Sequence, residues 1–339
     1  MLSPLNQERW RRFKNNRRGF WSLWLFLFLF IGSLFAEIIA NDTPILIKHQ
    51  DAFYYPLFKE YSELTFGGDF DVAADYRDPY IAELINESGW MLWPPVRFDY
   101  RAINYDLPTP APSPPSAENW LGTDDQGRDV LARLIYGFRI SVIFGLLLTL
   151  ATSIIGVAAG AVQGFYGGKI DLIGQRLLEV WSSMPALFVL IIIASLVPPS
   201  FWILLVILLL FGWMTLVGVV RAEFLRARNL EYVLAAKAMG VSDRALIFRH
   251  LLPNAMVATL TFVPFILVGA VTSLTALDFL GFGLPPGSAS LGEMVSQGKN
   301  NLHAPWIGLS VFFVLALLLT LLVFVGEAVR DAVDPNKTR

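Results

Sequence analysis

The longest uncharged run in the chain places the strongest constraint on its fold. No Asp, Glu, Lys or Arg occurs between Val180 and Val220, a run of 41 residues. One helix needs about 20 mostly apolar residues to cross roughly 30 Å of hydrocarbon. The run is therefore about twice as long as one membrane-spanning helix requires. The adjacent Pro198 and Pro199 cannot continue a helix, and Trp202 suits a membrane interface. The run therefore predicts two membrane-spanning helices joined by a short turn.

Four further apolar segments bring the expected number of spans to six. Only 16% of the residues are charged, against about a quarter in soluble domains. The first segment is interpreted as a retained anchor, because its apolar run exceeds a signal-peptide core and no A-x-A-like cleavage site follows it. We predict an all-α polytopic membrane protein whose spans cover about 19–40, 140–165, 176–197, 201–221, 252–277 and 304–327, the last five within a core of residues 140–330.

The distribution of basic residues predicts the orientation of these spans. The tail 1–18 and the segment 221–254 each hold six Lys or Arg residues, whereas the loop between the third and fourth predicted spans holds none. Basic residues concentrate in cytoplasmic loops. We therefore expect both ends of the chain, including the tail 331–339, in the cytoplasm and residues 41–139 in the periplasm.

Residues 41–118, here called the cap, differ in composition from the rest of the chain. They contain 13 Asp or Glu against 5 Lys or Arg and end in the proline-rich stretch LPTPAPSPPS, which forms a stiff connector. The cap has enough apolar residues for a small folded insertion after the first span. Its hydrophobic alternation is too weak to predict strands, and residues 119–139 lead from it into the second span.

The sequence lacks the groups that several alternative functions require. It has no cysteine and only three scattered histidines, so we expect no metal site and no catalytic pair of the kind an intramembrane hydrolase needs. No G-x-x-x-x-G-K-[ST] motif occurs, so the chain should bind neither ATP nor another cofactor. Ionisable residues are nearly absent from the span centres, which argues against an ion-coupled carrier. A net charge of −2 gives no indication of nucleic acid.

Two sets of residues inside the predicted spans are candidates for a role in packing or passage. Gly156, Gly160 and Gly164 form a G-x-x-x-G-x-x-x-G register on one helix face, where missing side chains let another helix approach closely. That helix belongs either to this chain or to a second subunit. The second set consists of hydroxyl groups, which either line a polar passage or only hydrogen-bond to a neighbouring helix. They belong to Ser182, Ser183, Thr272, Ser273 and Thr275.

Residues 229–254, here called the coupling loop, are basic and rich in alanine although apolar segments flank them. We expect a helix over Glu231–Met239, ended by a left-handed Gly240, and a second helix capped by Ser242. Such a helix pair, joined directly to two spans, can transmit the movement of a cytoplasmic partner into the membrane. In the alternative interpretation the alanines only fill space and the basic residues only follow the positive-inside rule.

The spacing within the coupling loop resembles the EAA loop of ABC importer permeases. The pattern Ala-Ala-x-x-x-Gly followed by Leu-Pro is matched, with Leu234 and His250 in place of the usual glutamate and isoleucine. Two adjacent alanines would leave the first helix smooth enough for a groove on another protein. The resemblance implies docking in a cleft of an ATPase subunit through Glu231, Ala235, Ala236, Gly240, Arg249, His250, Leu252 and Pro253.

Two more motifs resemble the same family. WLGTDDQGRDVLARLIYGFRISVIFGL (120–146) and LDFLGFGLPPGSASLGEMV (277–295) are similar to segments before the second and sixth spans of dipeptide and oligopeptide permeases of the C type. In the first motif, Thr123 or Asp124 would cap a short helix. The basic N-terminal tail, the acidic cap and the C-terminal GEAVRDAVDPNK resemble the Yej-type branch, which handles peptides and the antibiotic microcin C.

These resemblances imply a type I permease core in a bacterial inner membrane. They imply a heterodimer with a second permease of the B type, an ATPase that uses ATP on the cytoplasmic face, and a periplasmic peptide-binding protein. A permease for another solute, such as nickel, is the alternative within transport. A non-transporting membrane scaffold is the alternative outside it.

Overall fold

The computed structural model describes residues 4–333, and most of them are helical. Residues 1–3 of the predicted N-terminal tail and 334–339 of the predicted C-terminal tail lie outside the described residues. The chain divides into two compact units. Of the described residues, the first unit takes in 4–27, 142–285 and 316–333, and the second takes in 28–141 and 286–315.

The second unit holds the cap and the segments around it. Three helices lie wholly in it: α3 (Ala36–Ile39), α4 (Pro79–Ser88) and α13 (Leu291–Asn300). Three others belong to both units: α2 (Arg17–Leu34) begins in the first unit and ends in the second, whereas α5 (Val130–Tyr166) and α14 (Pro305–Val333) begin in the second and continue into the first.

The first unit holds the remaining helices. These are α1 (Pro4–Asn15), α6 (Gly168–Ser182), α7 (Ala186–Leu196), α8 (Phe201–Gly212), α9 (Met214–Ala227), α10 (Glu231–Ala238), α11 (Asp243–Ala245) and α12 (Leu252–Phe279), with a π-helical segment Leu246–Leu251 that connects α11 to α12.

Four helical stretches of the described chain are long and apolar enough to cross a membrane, and a fifth results if α6 and α7 count as one broken span. These two helices are bent by 69° at a break that ends in Pro185, where a proline disfavours continued helix in the residue before it. The first predicted span corresponds to α2, whose 18 residues include Arg17 and Arg18. These two charges lower the mean hydropathy of α2, so it is not among the helices apolar enough to span. The described chain therefore has four or five such helices, whereas the sequence predicts six.

Several helices extend beyond the predicted spans. The second span begins at Val130 rather than at 140, because Asp129 caps it: Oδ1 of Asp129 accepts a hydrogen bond from the backbone N–H of Ala132 at 2.8 Å. Neither Thr123 nor Asp124 therefore caps a separate short helix, and that prediction is wrong. The fifth span is continuous from Asp243 to Phe279, which includes the end of the coupling loop.

The cap contains a small antiparallel sheet that an all-α prediction omits. Its strands β1 (Leu46–His49), β2 (Ala52–Tyr54) and β3 (Gly89–Leu92) lie in the order β2-β1-β3. Strands of three or four residues are too short to show the alternation by which a strand is recognised in sequence. One face of the sheet packs on a buried cluster of the cap: Ile47, Phe66, Tyr76, Ile81 and Ile85. Burial raises the pKa of the Tyr76 hydroxyl to about 12.

A buried network of charged residues joins two distant motifs within the second unit. The guanidinium of Arg128 donates to Asp124 Oδ2 at 2.7 Å and to Glu293 Oε1 at 3.0 Å. Arg133 donates to Glu293 Oε2 at 2.9 Å, and Asp124 and Arg133 are fully buried. Nearby, burial raises the pKa of Asp129, against hydrogen bonds that favour its ionised form. The network ties the start of α5 to α13.

Candidate functional site

The coupling loop has the local structure that its sequence predicts. Helix α10 is followed by Gly240 with a φ of +83°, in the left-handed region. The N–H of Val241 donates to the carbonyl of Ala236 at 3.1 Å, so the chain reverses at the glycine as in other helix C-termini. Ser242 Oγ accepts from the N–H of Ala245 at 3.4 Å and caps the next turn. The helix boundary at Gly240 and the cap at Ser242 are confirmed.

The two adjacent alanines face opposite environments. Ala236 is only 4% exposed, and with Val233 it belongs to a buried cluster that also contains Leu246, Leu251 and Ala255. Ala235 is exposed. The side chain of Ala236 therefore packs inside this chain and is not available to a groove on another protein, which corrects the idea that both alanines form one smooth docking face.

Large apolar side chains lie on the outer face of the coupling loop. Leu234 is 52% exposed, Met239 is 78% exposed, and Phe248 and Tyr232 are also exposed. Several large apolar side chains exposed within one short segment make it a candidate interaction site. From the sequence, Leu234 was noted only as a departure from the usual glutamate, and Met239 was given no role. The position of Met239 directly before the helix-ending Gly240 could have indicated that its side chain is exposed.

The remaining candidate residues lie at the junction with α12. Nδ2 of Asn254 donates both to Tyr232 Oη at 3.1 Å and to the carbonyl of His250 at 3.2 Å. The bond to Tyr232 connects α10 to the beginning of α12, and sequence reasoning gave no role to Tyr232 or Asn254. Glu231, Arg249 and Pro253 are exposed, while Leu252 packs against the buried cluster.

The glycine register of α5 packs against α9 of this chain. A Cβ atom added at Gly156 would lie 2.5 Å from the carbonyl oxygen of Trp213, and one at Gly160 would lie 2.8 Å from that of Val217. At Gly164 it would lie 2.5 Å from the Cβ of Phe224. All three glycines are needed for the approach of α9, so this face lies within the subunit.

Two arginines, one in α9 and one directly after it, link this region to α6 and α5. Arg221 forms a bidentate ion pair with Asp171 of α6, in which Nη2 of the arginine lies 2.7 Å from Oδ2 of the aspartate. Nη1 of Arg228 donates to the carbonyls of Gly164 and Phe165, each at 3.2 Å. A cation near the last carbonyls of a helix is favoured by the helix dipole. The coupling loop thus continues into a body made of α5, α6 and α9.

The hydroxyl groups proposed for a polar passage mostly bond within their own helices. Ser182, Ser183, Thr272 and Thr275 each donate to a carbonyl three or four residues earlier. Ser273 instead lines a cavity of about 490 Å³ between α5, α7, α8 and α12, whose other walls are mainly apolar. A continuous polar lining is not formed by these five residues.

We predict that Gly164→Ala destabilises the chain while Gly218→Ala does not. A Cβ at Gly164 meets Phe224 and the Arg221 backbone, whereas one at Gly218 of α9 meets nothing within 4 Å. Overpacking costs about 1–3 kcal/mol, and Gly→Ala in an unobstructed helix gains about 0.5–1 kcal/mol. Thermal unfolding in mild detergent measures both changes, and equal midpoints for the two variants would contradict the packing.

Comparisons with known proteins agree with this architecture. Residues 154–339 match the family described as binding-protein-dependent transport system inner membrane component. Residues 3–56 match the N-terminal TM domain of oligopeptide transport permease C. A solved structure of the MetNI methionine ABC transporter, in inward-facing conformations, has a TM-score of 0.51 and 16% identity, and the match covers 60% of this chain and 96% of that chain. This similarity shows the fold.

The curated relatives match over most of their length. The chain is 62% identical over 336 residues to the inner membrane ABC transporter permease protein YejE of Escherichia coli strain K12, covering 99% of this chain and 98% of the relative. It is 56% identical to the peptidoglycan transport system permease protein YejE of Agrobacterium fabrum, covering 99% and 94%. Identity to the oligopeptide transport system permease protein OppC of Bacillus subtilis is 34%, over 71% and 78%.

The named relatives are all permease proteins of transport systems, so the chain is a transporter subunit rather than an enzyme. The family match covers more than half of the chain, and the C-type match covers its N-terminal region. The chain therefore belongs to the inner-membrane permease family of binding-protein-dependent ABC transport systems, in the C-type branch of oligopeptide permeases.

Proposed function

We propose that this chain is one permease subunit of an ATP-driven importer that moves peptides or peptide-like compounds, including those of the microcin C type, from the periplasm to the cytoplasm. The observation that carries the proposal is the match to YejE over 99% of the chain at 62% identity, cap included. The relatives named for oligopeptide, dipeptide and peptidoglycan transport support a peptide-like substrate.

The partners follow from the same proposal. A second permease of the B type completes the pathway, a periplasmic peptide-binding protein delivers the substrate, and an ABC ATPase docks on the exposed apolar face of the coupling loop. In this proposal the part of the chain that the structure describes supplies no catalytic residue and holds no metal or cofactor. ATP is bound and hydrolysed by the ATPase subunit.

Reconstitution tests the transport function directly. The chain, purified in mild detergent with its bound subunits and inserted into liposomes, should accumulate a radiolabelled tripeptide only when ATP and the binding protein are present. Accumulation of nickel but no peptide, or the absence of an associated ATPase, would contradict the proposal.

We also propose six crossings, with α2 as the first, both ends in the cytoplasm and the cap in the periplasm. Because the chain contains no cysteine, single cysteines report topology without background. Phe58 of the cap is 82% exposed and Ala235 is exposed, so both positions can react when the reagent reaches them.

In intact spheroplasts we expect a membrane-impermeant maleimide to label Phe58→Cys at once and Ala235→Cys only after permeabilisation. The matched pair controls for reactivity, because both side chains are accessible to solvent. Labelling of Ala235→Cys before permeabilisation would overturn the orientation.

A further inference from the structure

The cap, together with Trp120 just after it, lines a cavity that has no part in the coupling loop or the spans. Its volume is about 580 Å³, within the range of about 300–1,000 Å³ found for small-molecule sites. Its walls come from α4, from β3 and the chain that follows it, and from residues 106–120. The whole cavity lies in the second unit.

Two arginines of this acidic region line the cavity. Arg77 and Arg97 are two of only five Lys or Arg residues in the cap. Within residues 4–333, neither guanidinium forms an ion pair with a carboxylate. At longer range, Arg77 opposes the rise in the pKa of Asp42 that burial causes.

Aromatic rings hold both guanidinium groups in place. Arg77 lies over the ring of Phe98 at 4.1 Å from the centroid, and Arg97 lies over the ring of Trp93 at 5.6 Å. Stacking on a ring is favourable in itself and leaves the hydrogen-bond donors at the edge of the guanidinium free. Such a planar group recognises a carboxylate through two parallel hydrogen bonds.

Anionic and apolar groups complete the lining. The carboxylates of Asp106 and Glu118 face the same cavity, and neither takes part in an ion pair within the described chain. Trp120, which is 54% exposed, adds a second indole to that of Trp93. The cavity thus offers two cations, two anions and two broad apolar surfaces.

We propose that this cavity binds short peptides whose two termini are free. The arginines hold the terminal carboxylate, Asp106 and Glu118 hold the ammonium group, and the indoles of Trp93 and Trp120 contact an apolar side chain. The inference rests on the proposed function and assigns a binding site for its substrate class to the permease itself. A loop of the binding protein, the competing occupant, has no free termini to match the paired charges.

The test uses the full chain in nanodiscs and the fluorescently labelled tripeptide Ala-Phe-Ala with both termini free, the label being carried on the side-chain ring. Arg97→Gln should weaken binding about tenfold or more, the usual effect of losing a charge-assisted pair. Arg101→Gln is the matched control, because Arg101 also lies over a ring in the cap, that of Tyr100, but does not line the cavity. It should bind as the unmodified chain does.

A C-terminally amidated version of the tripeptide should bind weakly to the unmodified chain and be insensitive to Arg97→Gln. Equal affinities of the two arginine variants, no binding of the free tripeptide, or cavity protection only by the binding protein would each overturn the site. Uptake by the reconstituted complex separates the two proposals. If the complex takes up peptide with ATP, but Arg97→Gln binds the tripeptide as tightly as the unmodified chain does, only the cavity assignment is wrong.

Discussion

Ala236→Arg should prevent the purified chain from folding stably, whereas Ala235→Arg should leave its unfolding unchanged and abolish stimulation of the ATPase. The neighbouring alanines differ in burial: Ala236 is 4% exposed inside the cluster of Val233 and Leu246, and Ala235 is exposed. An unpaired charge forced into such a cluster costs several kcal/mol, which is a large fraction of the roughly 5–15 kcal/mol that stabilises a folded domain.

In the isolated subunit, the arginine of Ala235→Arg lies in solvent, because Ala235 is exposed. In the proposed complex it meets the ATPase, where an arginine beside Leu234 and Met239 should disrupt an apolar contact. Thermal unfolding of the purified subunit and ATP turnover of the reconstituted complex give the two readouts. Equal loss of stability in both variants would show that α10 is buried on both faces, and normal uptake by Ala235→Arg would remove the coupling loop from the docking surface.

The second large effect is expected at the charged network of α5 and α13. Asp124→Asn removes an anion that Arg128 and Arg133 share, since Arg128 Nε lies 2.7 Å and Arg133 Nε lies 3.5 Å from Asp124 Oδ2. Removing one partner of a buried ion pair costs up to about 3–5 kcal/mol, and in this variant two buried cations are left to share the single carboxylate of Glu293. The unfolding midpoint should fall accordingly.

The same helix supplies a control pair. Arg139 Nη1 contacts Glu37 Oε1 at 2.8 Å, but the two side chains are 20% and 44% exposed. Solvent-exposed pairs contribute about 0–1 kcal/mol, so Glu37→Gln should shift the midpoint little. Chemical unfolding in detergent compares the two variants, and a similar cost for both would mean that Asp124 is hydrated.

Local signals in the sequence were sufficient where a single residue decides the conformation. Gly240 ends a helix and Ser242 begins the next because a left-handed glycine and a hydroxyl cap act within three or four residues. The burial of Ala236 could not be predicted in this way, because it depends on Leu246 and on Phe224 of another helix. A helix of eight residues rich in alanine has no marked apolar face to indicate its orientation.

Longer-range features escaped sequence reasoning for the same reason. Arg128 and Glu293 are separated by 165 positions, and the motifs that contain them were recognised separately, without any indication that they pair. The glycine register was visible as a close-packing face, but only the structure assigns α9 to it. The cap cavity gathers residues from three segments whose individual sequences show only an acidic, aromatic stretch.

The exposed apolar face of the coupling loop has a consequence for the life of the subunit in the cell. Under the proposed docking, a copy of the chain without its ATPase presents Leu234, Met239 and Phe248 to water, and surface of this kind promotes aggregation. Chaperones and proteases act on such states continuously, so a modest loss of stability lowers abundance several-fold. Unassembled copies should therefore be degraded faster than assembled ones, and the amount of ATPase then sets the number of permease subunits that persist in the membrane.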